Sequence, residues 1–156
     1  MTSVLTGLVA GAVAGAAGVT ALNALAYGDM VVRGRGASHT PELSVEKLAG
    51  SVHVRVPGTE ETRAHRTEGL GALLGMATGA GVGALAGAAR AAGVRLPLPV
   101  GAAVTTLMAL SAANGPMTVL GVTDPRTWSK SDWVSDVVPH AGYGAVTSFA
   151  LRLMLP

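Results

Sequence analysis

The chain contains no cysteine, so disulfides, thiolate metal sites and cysteine nucleophiles are all excluded. Aromatic side chains are almost as scarce. Two tryptophans stand among eleven lysines and arginines spread along the sequence, which does not make a nucleic-acid surface, and no nucleic-acid partner is expected. Charge is also short. Only 13% of residues are charged, against roughly 25% in ordinary soluble domains. The shortage is uneven: no charged side chain occurs between Met1 and Gly28, between Gly69 and Ala89, or between Leu96 and Thr123. Each window reaches the ~20 residues that cross a hydrocarbon core. A fourth, Val137 to Leu151, is shorter and holds His140.

What the chain has in abundance is glycine, with 22 residues. Gly71, Gly75, Gly79, Gly83 and Gly87 recur every fourth position, and Gly7, Gly11 and Gly15 repeat that spacing near the N-terminus. On a helix this spacing strips one face to bare backbone. In water each interior glycine costs about 0.8–1 kcal/mol relative to alanine. In a bilayer the backbone must pair internally in any case, and a glycine stripe lets a second helix approach closely. The two stripes are natural partners. The expected fold is therefore an all-α membrane protein, a single membrane domain over 1–156. Its four transmembrane helices, about 3–27, 68–90, 96–119 and 139–155, pack through glycine zippers. Ala24-Leu-Ala26 has the look of a signal-peptidase site, but no Lys or Arg precedes the apolar run and the run exceeds a signal core, so it reads as the first span.

Between the first two spans, residues 29–67 read as an aqueous loop with six basic and six acidic side chains once Glu68 is counted. Thr40-Pro41-Glu42 reads as a helix start, with Thr40 as cap and Pro41 at the first position, and Gly50 as its stop. Ser51 to Val56 alternates as a strand does, but no second strand is in sight, so an extended loop is expected. Thr59 with Glu60 and Glu61 can open a helix that runs into the second span. Asn114-Gly115-Pro116 should bend or loosen the third span. Residues 121–138, with Trp128 and Trp133 among Lys130 and three carboxylates, read as an interfacial amphipathic segment before the fourth helix, which is expected to start at Pro139. The two long connections carry eight of the eleven basic residues. That count expects both in the cytoplasm, both termini outside, and the chain in the plasma membrane. Glu68-Gly-Leu-Gly-Ala72 matches Ala141-Gly-Tyr-Gly-Ala145, a faint internal repeat.

Asp136, His140, Tyr143 and Thr147 share one face of the fourth helix, by spacings of four, three and four. Asn23, Tyr27, Glu68, Ser111 and Asn114 are expected at the same depth. Two readings stand. These groups form a hydrogen-bonded layer that fixes helix packing, or a proton or solute path with His140 beside a carboxylate as proton carrier. A lipid-headgroup contact is a third. A metal site is not expected: His39, His53 and His65 are scattered in one loop, without ligand spacing. No phosphate loop, dinucleotide fingerprint, Gly-x-Ser-x-Gly or His-Glu-x-x-His occurs. No cofactor and no catalytic residue is therefore assigned. An enzyme acting on lipid has only Asp132, Asp136 and His140 to draw on.

Several runs together resemble a family of small actinobacterial multi-pass membrane proteins that has no assigned activity. They are Thr40-Pro-Glu with Val45-Glu-Lys-Leu48, Gly69 to Gly75, Pro116-Met117, Leu120-Gly-Val-Thr-Asp-Pro-Arg-Thr-Trp128, and Asp132-Trp133 with Ser135-Asp-Val-Val-Pro-His140 and Tyr143-Gly144. The resemblance implies a membrane location and multi-pass architecture, and brings no catalytic residues. The expected function is a structural or accessory membrane subunit whose partners are the bilayer and either further copies of itself or other membrane proteins. The alternative is a small transporter or channel with its polar site at the cytoplasmic end of the fourth helix.

Overall fold

The computed structural model describes residues 3–156. Those residues form five helices and no strand: α1 (Val4–Arg33), α2 (Thr40–Ser51), α3 (Glu60–Ala91), α4 (Leu98–Val119) and α5 (Lys130–Met154), with a short 3-10 turn at Pro125–Thr127. Three of them, α1, α3 and α4, are long and apolar enough to cross a membrane.

The helix ends follow local chemistry. Ser3 caps α1 by accepting from the Thr6 N–H at 3.1 Å. The helix runs past the expected end at Tyr27 to Arg33, because Asp29 and Arg33 pair one turn apart at 2.8 Å and Gly34 closes the helix at φ 62°. The second long helix, α3, begins at Glu60 rather than residue 68: Thr59 accepts from Thr62 N–H, and Glu60 and Glu61 occupy the first turn where the helix dipole favours them. At 32 residues α3 is about 48 Å long, so its charged first turns can stand clear of a ~30 Å hydrocarbon core.

The last helix departs most from the sequence expectation. It starts at Lys130, not Pro139, so the interfacial loop 121–138 shrinks to residues before Lys130. Ser129 and Asp132 form a reciprocal capping box, and Pro139 sits buried inside the helix. α4 likewise continues through Pro116 to Val119. In α2 the cap position falls to His39, without a side-chain bond, and Pro41 takes the second helical position. The alternating run after α2 does not extend as a strand, since His53 turns left-handed at φ 57°.

The four long helices form a ring in which α1 contacts α3 and α5, and α4 contacts α5 and, more lightly, α3. Neighbours run antiparallel. Gly7, Gly11 and Gly15 on α1 face Gly87, Gly83 and Gly79 on α3 in that order. A Cβ on Gly15 would stand 3.1 Å from the Gly83 Cα, and one on Gly87 would stand 2.7 Å from the Gly11 Cα. A real Cβ needs more room than that, so only glycine permits this separation. The five-glycine run is not one uniform stripe. Gly71 serves α2 instead, with Pro41 Cβ 2.9 Å from where its own Cβ would be, and Gly75 faces open space.

The interior is small and partly polar. Ala10 and Ala14 are buried between α1 and its neighbours, Thr105, Thr147 and Ser148 are buried on α4 and α5, and Thr67 is buried nearer the start of α3. Large apolar side chains point outward on every wall of the ring: Leu5, Val9 and Val13 on α1, Leu73, Met76 and Leu85 on α3, Val100, Val104 and Leu107 on α4, and Val138, Phe149 and Leu153 on α5.

A polar seam along the inner face of α5

α5 presents its inner face to both α1 and α4. Asp136, His140, Tyr143 and Thr147 all lie on it, as their spacing requires, and the turn at Pro139 does not break the stripe. The seam has an upper and a lower part.

At the upper part, Asn114 Nδ2 on α4 donates to Asp136 Oδ2 at 2.8 Å. His140 Nδ1 lies 2.8 Å from the Asp136 carbonyl oxygen and 3.5 Å from Asp136 Oδ1. A carbonyl only accepts, so the proton belongs on Nδ1, which leaves Nε2 as an acceptor in the neutral ring. The His140 side chain is 12% exposed and the Asp136 side chain 21%. The three groups thus form a chain across the α4–α5 contact, largely but not fully buried. Asn23 is half-buried on α1, Glu68 exposed on α3 and Ser111 exposed on α4. Among the described residues no hydrogen bond joins any of them to the trio.

At the lower part, Tyr143 is 1% exposed, and its hydroxyl donates to the Gly79 carbonyl of α3 at 2.6 Å. Its ring lies against Gly18 of α1, where a Cβ would fall 2.7 Å from Cδ2. Thr147 is fully buried, and its hydroxyl occupies the volume a side chain on Gly18 would need. Among the described residues that hydroxyl has no conventional partner. Its placement on the Gly18 Cα makes a Cα–H···O contact the available substitute, a weak one. At the next residue, Ser148 and Thr105 of α4 share a hydroxyl bond of 3.2 Å, while Thr105 also donates to the Gly101 carbonyl at 2.8 Å. Thr106 rests on Gly144, so side chains fill the α4–α5 contact at that level.

Sequence reasoning missed the clasp above this seam. Arg33, at the end of α1, donates to Ser131 at 2.6 Å and to Ser135, both on the first turns of α5, while it holds Asp29. Arg35 also reaches Asp29, at 2.6 Å. Nothing local marks this link, because its partners lie about a hundred positions apart. The helix start at Ser129 was readable from Ser-x-x-Asp. Beside the clasp, Trp128 and Trp133 meet edge to face with centroids 4.9 Å apart, and Trp128 Nε1 donates to Thr123 at 2.8 Å. Asp124 grips Arg126 with both oxygens, and that guanidinium holds its carboxyl below the usual carboxylate range.

Chemically, the seam is a set of hydrogen bonds between helices. His140 and Asp136 are a pair, and among the described residues no third His, Asp or Glu joins them to make a metal ligand set. No protein-family model, no curated protein and no solved structure matches this chain.

Proposed function

We propose that this is a four-span integral membrane protein of structural or accessory type, with α5 as the fourth span beside α1, α3 and α4. The observation that carries the reading is the skewed distribution of side chains: mainly small and hydroxyl-bearing residues inside, with Val82, Tyr143, Leu151 and Leu155 the larger ones, and many large apolar ones outside on all four walls. A monomeric soluble protein rarely exposes apolar patches beyond a few hundred Å². In lipid the arrangement is the favourable one, since helices associate there through close packing and interhelical hydrogen bonds rather than through apolar burial.

α5 fits a span despite its charged first turns. Val134, Val138, Val146, Phe149 and Leu153 face outward, and below Asp136 its sole charged side chain before the helix end is Arg152. The facing glycines of α1 and α3 are then a glycine zipper within one chain. Trp128 and Trp133 lie at the headgroup level. The basic-residue count favours the two long connections on the cytoplasmic side of a plasma membrane. The segments around Trp128 and His140 keep the likeness to small actinobacterial multi-pass proteins as part of the proposal.

The structural reading is favoured over transport by the filled α4–α5 contact, where a solute path along the seam would have to run. An accessory subunit should leave the membrane in company. Native mass spectrometry after gentle detergent extraction is expected to show a multiple of this chain or the chain bound to a second membrane protein. A bare monomer across all mild detergents would contradict the accessory role and leave the transporter reading ahead.

A further inference from the structure

The two ends of the bundle differ sharply in charge. All nine acidic side chains lie in the half that holds α2, the start of α3 and the start of α5. The opposite end, formed by the α3–α4 turn and the end of α5, carries Arg90, Arg95 and Arg152 and no Asp or Glu. Partial burial, and after it like-charge repulsion from Arg95 and Arg152, disfavour the charge on Arg90. Arg90 spends one donor, Nε, on the Leu155 carbonyl at 2.6 Å, which fixes the guanidinium in place. Among the described residues none of the three arginines pairs with a carboxylate.

Beneath these charges lies a cavity of about 120 Å³ between α3, α4 and α5, with Arg90 and Arg152 both in its wall. The rest of its lining is mostly apolar, including Leu85, Val104, Met108 and Leu151. It sits where α3 and α4 touch only lightly, and Leu85 and Val104 open it toward the outer surface. Unpaired cations at the rim and an apolar slot below are the two halves of one amphiphile's complement: a phosphate-bearing head and the first part of an acyl chain.

We propose that this end binds one anionic phospholipid, with Arg90 and Arg152 on the phosphate, Arg95 adding to the field, and an acyl chain lying in the slot between α3 and α4. The inference rests on the membrane reading above. It deepens that reading by giving the bundle a bound lipid in the leaflet opposite the long connections.

The test uses the full chain in detergent micelles mixed with phosphatidylglycerol or phosphatidylcholine of matched acyl chains, with bound lipid counted by native mass spectrometry. One phosphatidylglycerol per chain is expected, in clear excess over phosphatidylcholine. Arg152→Gln, which breaks no protein hydrogen bond or ion pair among the described residues, should weaken retention about fivefold, as one basic residue at an anionic surface does. Arg90→Gln should weaken it at least as much, and Arg63→Gln at the other end not at all. Gly101→Leu, which fills the slot without touching charge, should also lower retention. Equal retention of the two lipids, or equal loss in Arg63→Gln and Arg152→Gln, would overturn the proposal. So would displacement of the lipid by millimolar inorganic phosphate, which would mark a plain anion site. A chain that stays in solution without detergent would instead sink the membrane reading, a separate and visible failure.

Discussion

The hydroxyl of Tyr143 donates to the carbonyl of Gly79 at 2.6 Å, across the centre of the bundle. Gly79 also belongs to the row that meets α1, so one residue of α3 supports contacts with two other helices. Removing the hydroxyl alone, in Tyr143→Phe, should cost about 0.6 kcal/mol and at most ~1.7 kcal/mol, the average and maximum for interhelical hydrogen bonds in a membrane bundle. Tyr143→Ala, which also empties the space beside Gly18, should cost roughly 3–5 kcal/mol. Unfolding in mixed micelles by added denaturing detergent reads both. Equal effects of the two variants would show that the ring packs nothing.

The facing glycines should differ from their neighbours in the same run. Gly83→Ala places a Cβ 2.6 Å from Gly15 Cα, and the helices must separate; overpacking of this kind costs ~1–3 kcal/mol. Gly75→Ala meets open space, so it should be neutral or add up to ~1 kcal/mol of helix propensity. The same micelle unfolding measurement compares them. Similar destabilisation at both positions would contradict the α1–α3 register.

Asn114 is the donor that reaches the Asp136 carboxylate from α4. Asn114→Ala leaves that half-buried oxygen short of a partner and should destabilise by about 1–3 kcal/mol. Asn114→Ala combined with Asp136→Ala should cost less than the two singles summed, because each single mutation already breaks the same bond. Strict additivity would remove this bond from the account.

Acid should loosen the start of α5 first. The Ser129 hydroxyl and backbone N–H, with help from Arg33, hold the Asp132 carboxyl below the usual carboxylate range. A folded pKa below the unfolded one gives stability that is complete above about pH 4, the unfolded-state value, and fades as pH falls through the folded value. Fluorescence of the nearby Trp128 and Trp133 should therefore change below about pH 4 before helix content falls, and Asp132→Asn should lose that early change. A parent and variant with the same acid profile would contradict the capping role.

The sequence was most informative where a spacing has one physical meaning. Glycine at every fourth position near both Gly11 and Gly83 can only bare a helix face, and two bare faces of matching length meet. It was less informative where one residue has two uses. Proline commonly opens a helix, so the sequence alone marks Pro139 as a start. Inside α5 it costs a backbone bond, yet it is buried against neighbouring helices that hold the segment helical. Gly71 and Gly75 carry the same spacing as Gly79 but meet Pro41 and open space, a distinction set by where α2 folds back. The trio of Asn114, Asp136 and His140 was half legible: the face of α5 follows from period, whereas the depth of Asn23 and Glu68 did not place them in contact with it.

The central claim is that α5 crosses the membrane with the other three long helices. The chain has no cysteine, so single introduced cysteines report alone. Arg55→Cys, Val94→Cys, Lys130→Cys and Pro156→Cys can each be probed in intact cells with a membrane-impermeant maleimide, with lysed cells as the control. The account predicts that positions 55 and 130 label together on one side and positions 94 and 156 on the other. Labelling of positions 130 and 156 from the same side would show that α5 does not span, and would contradict the account.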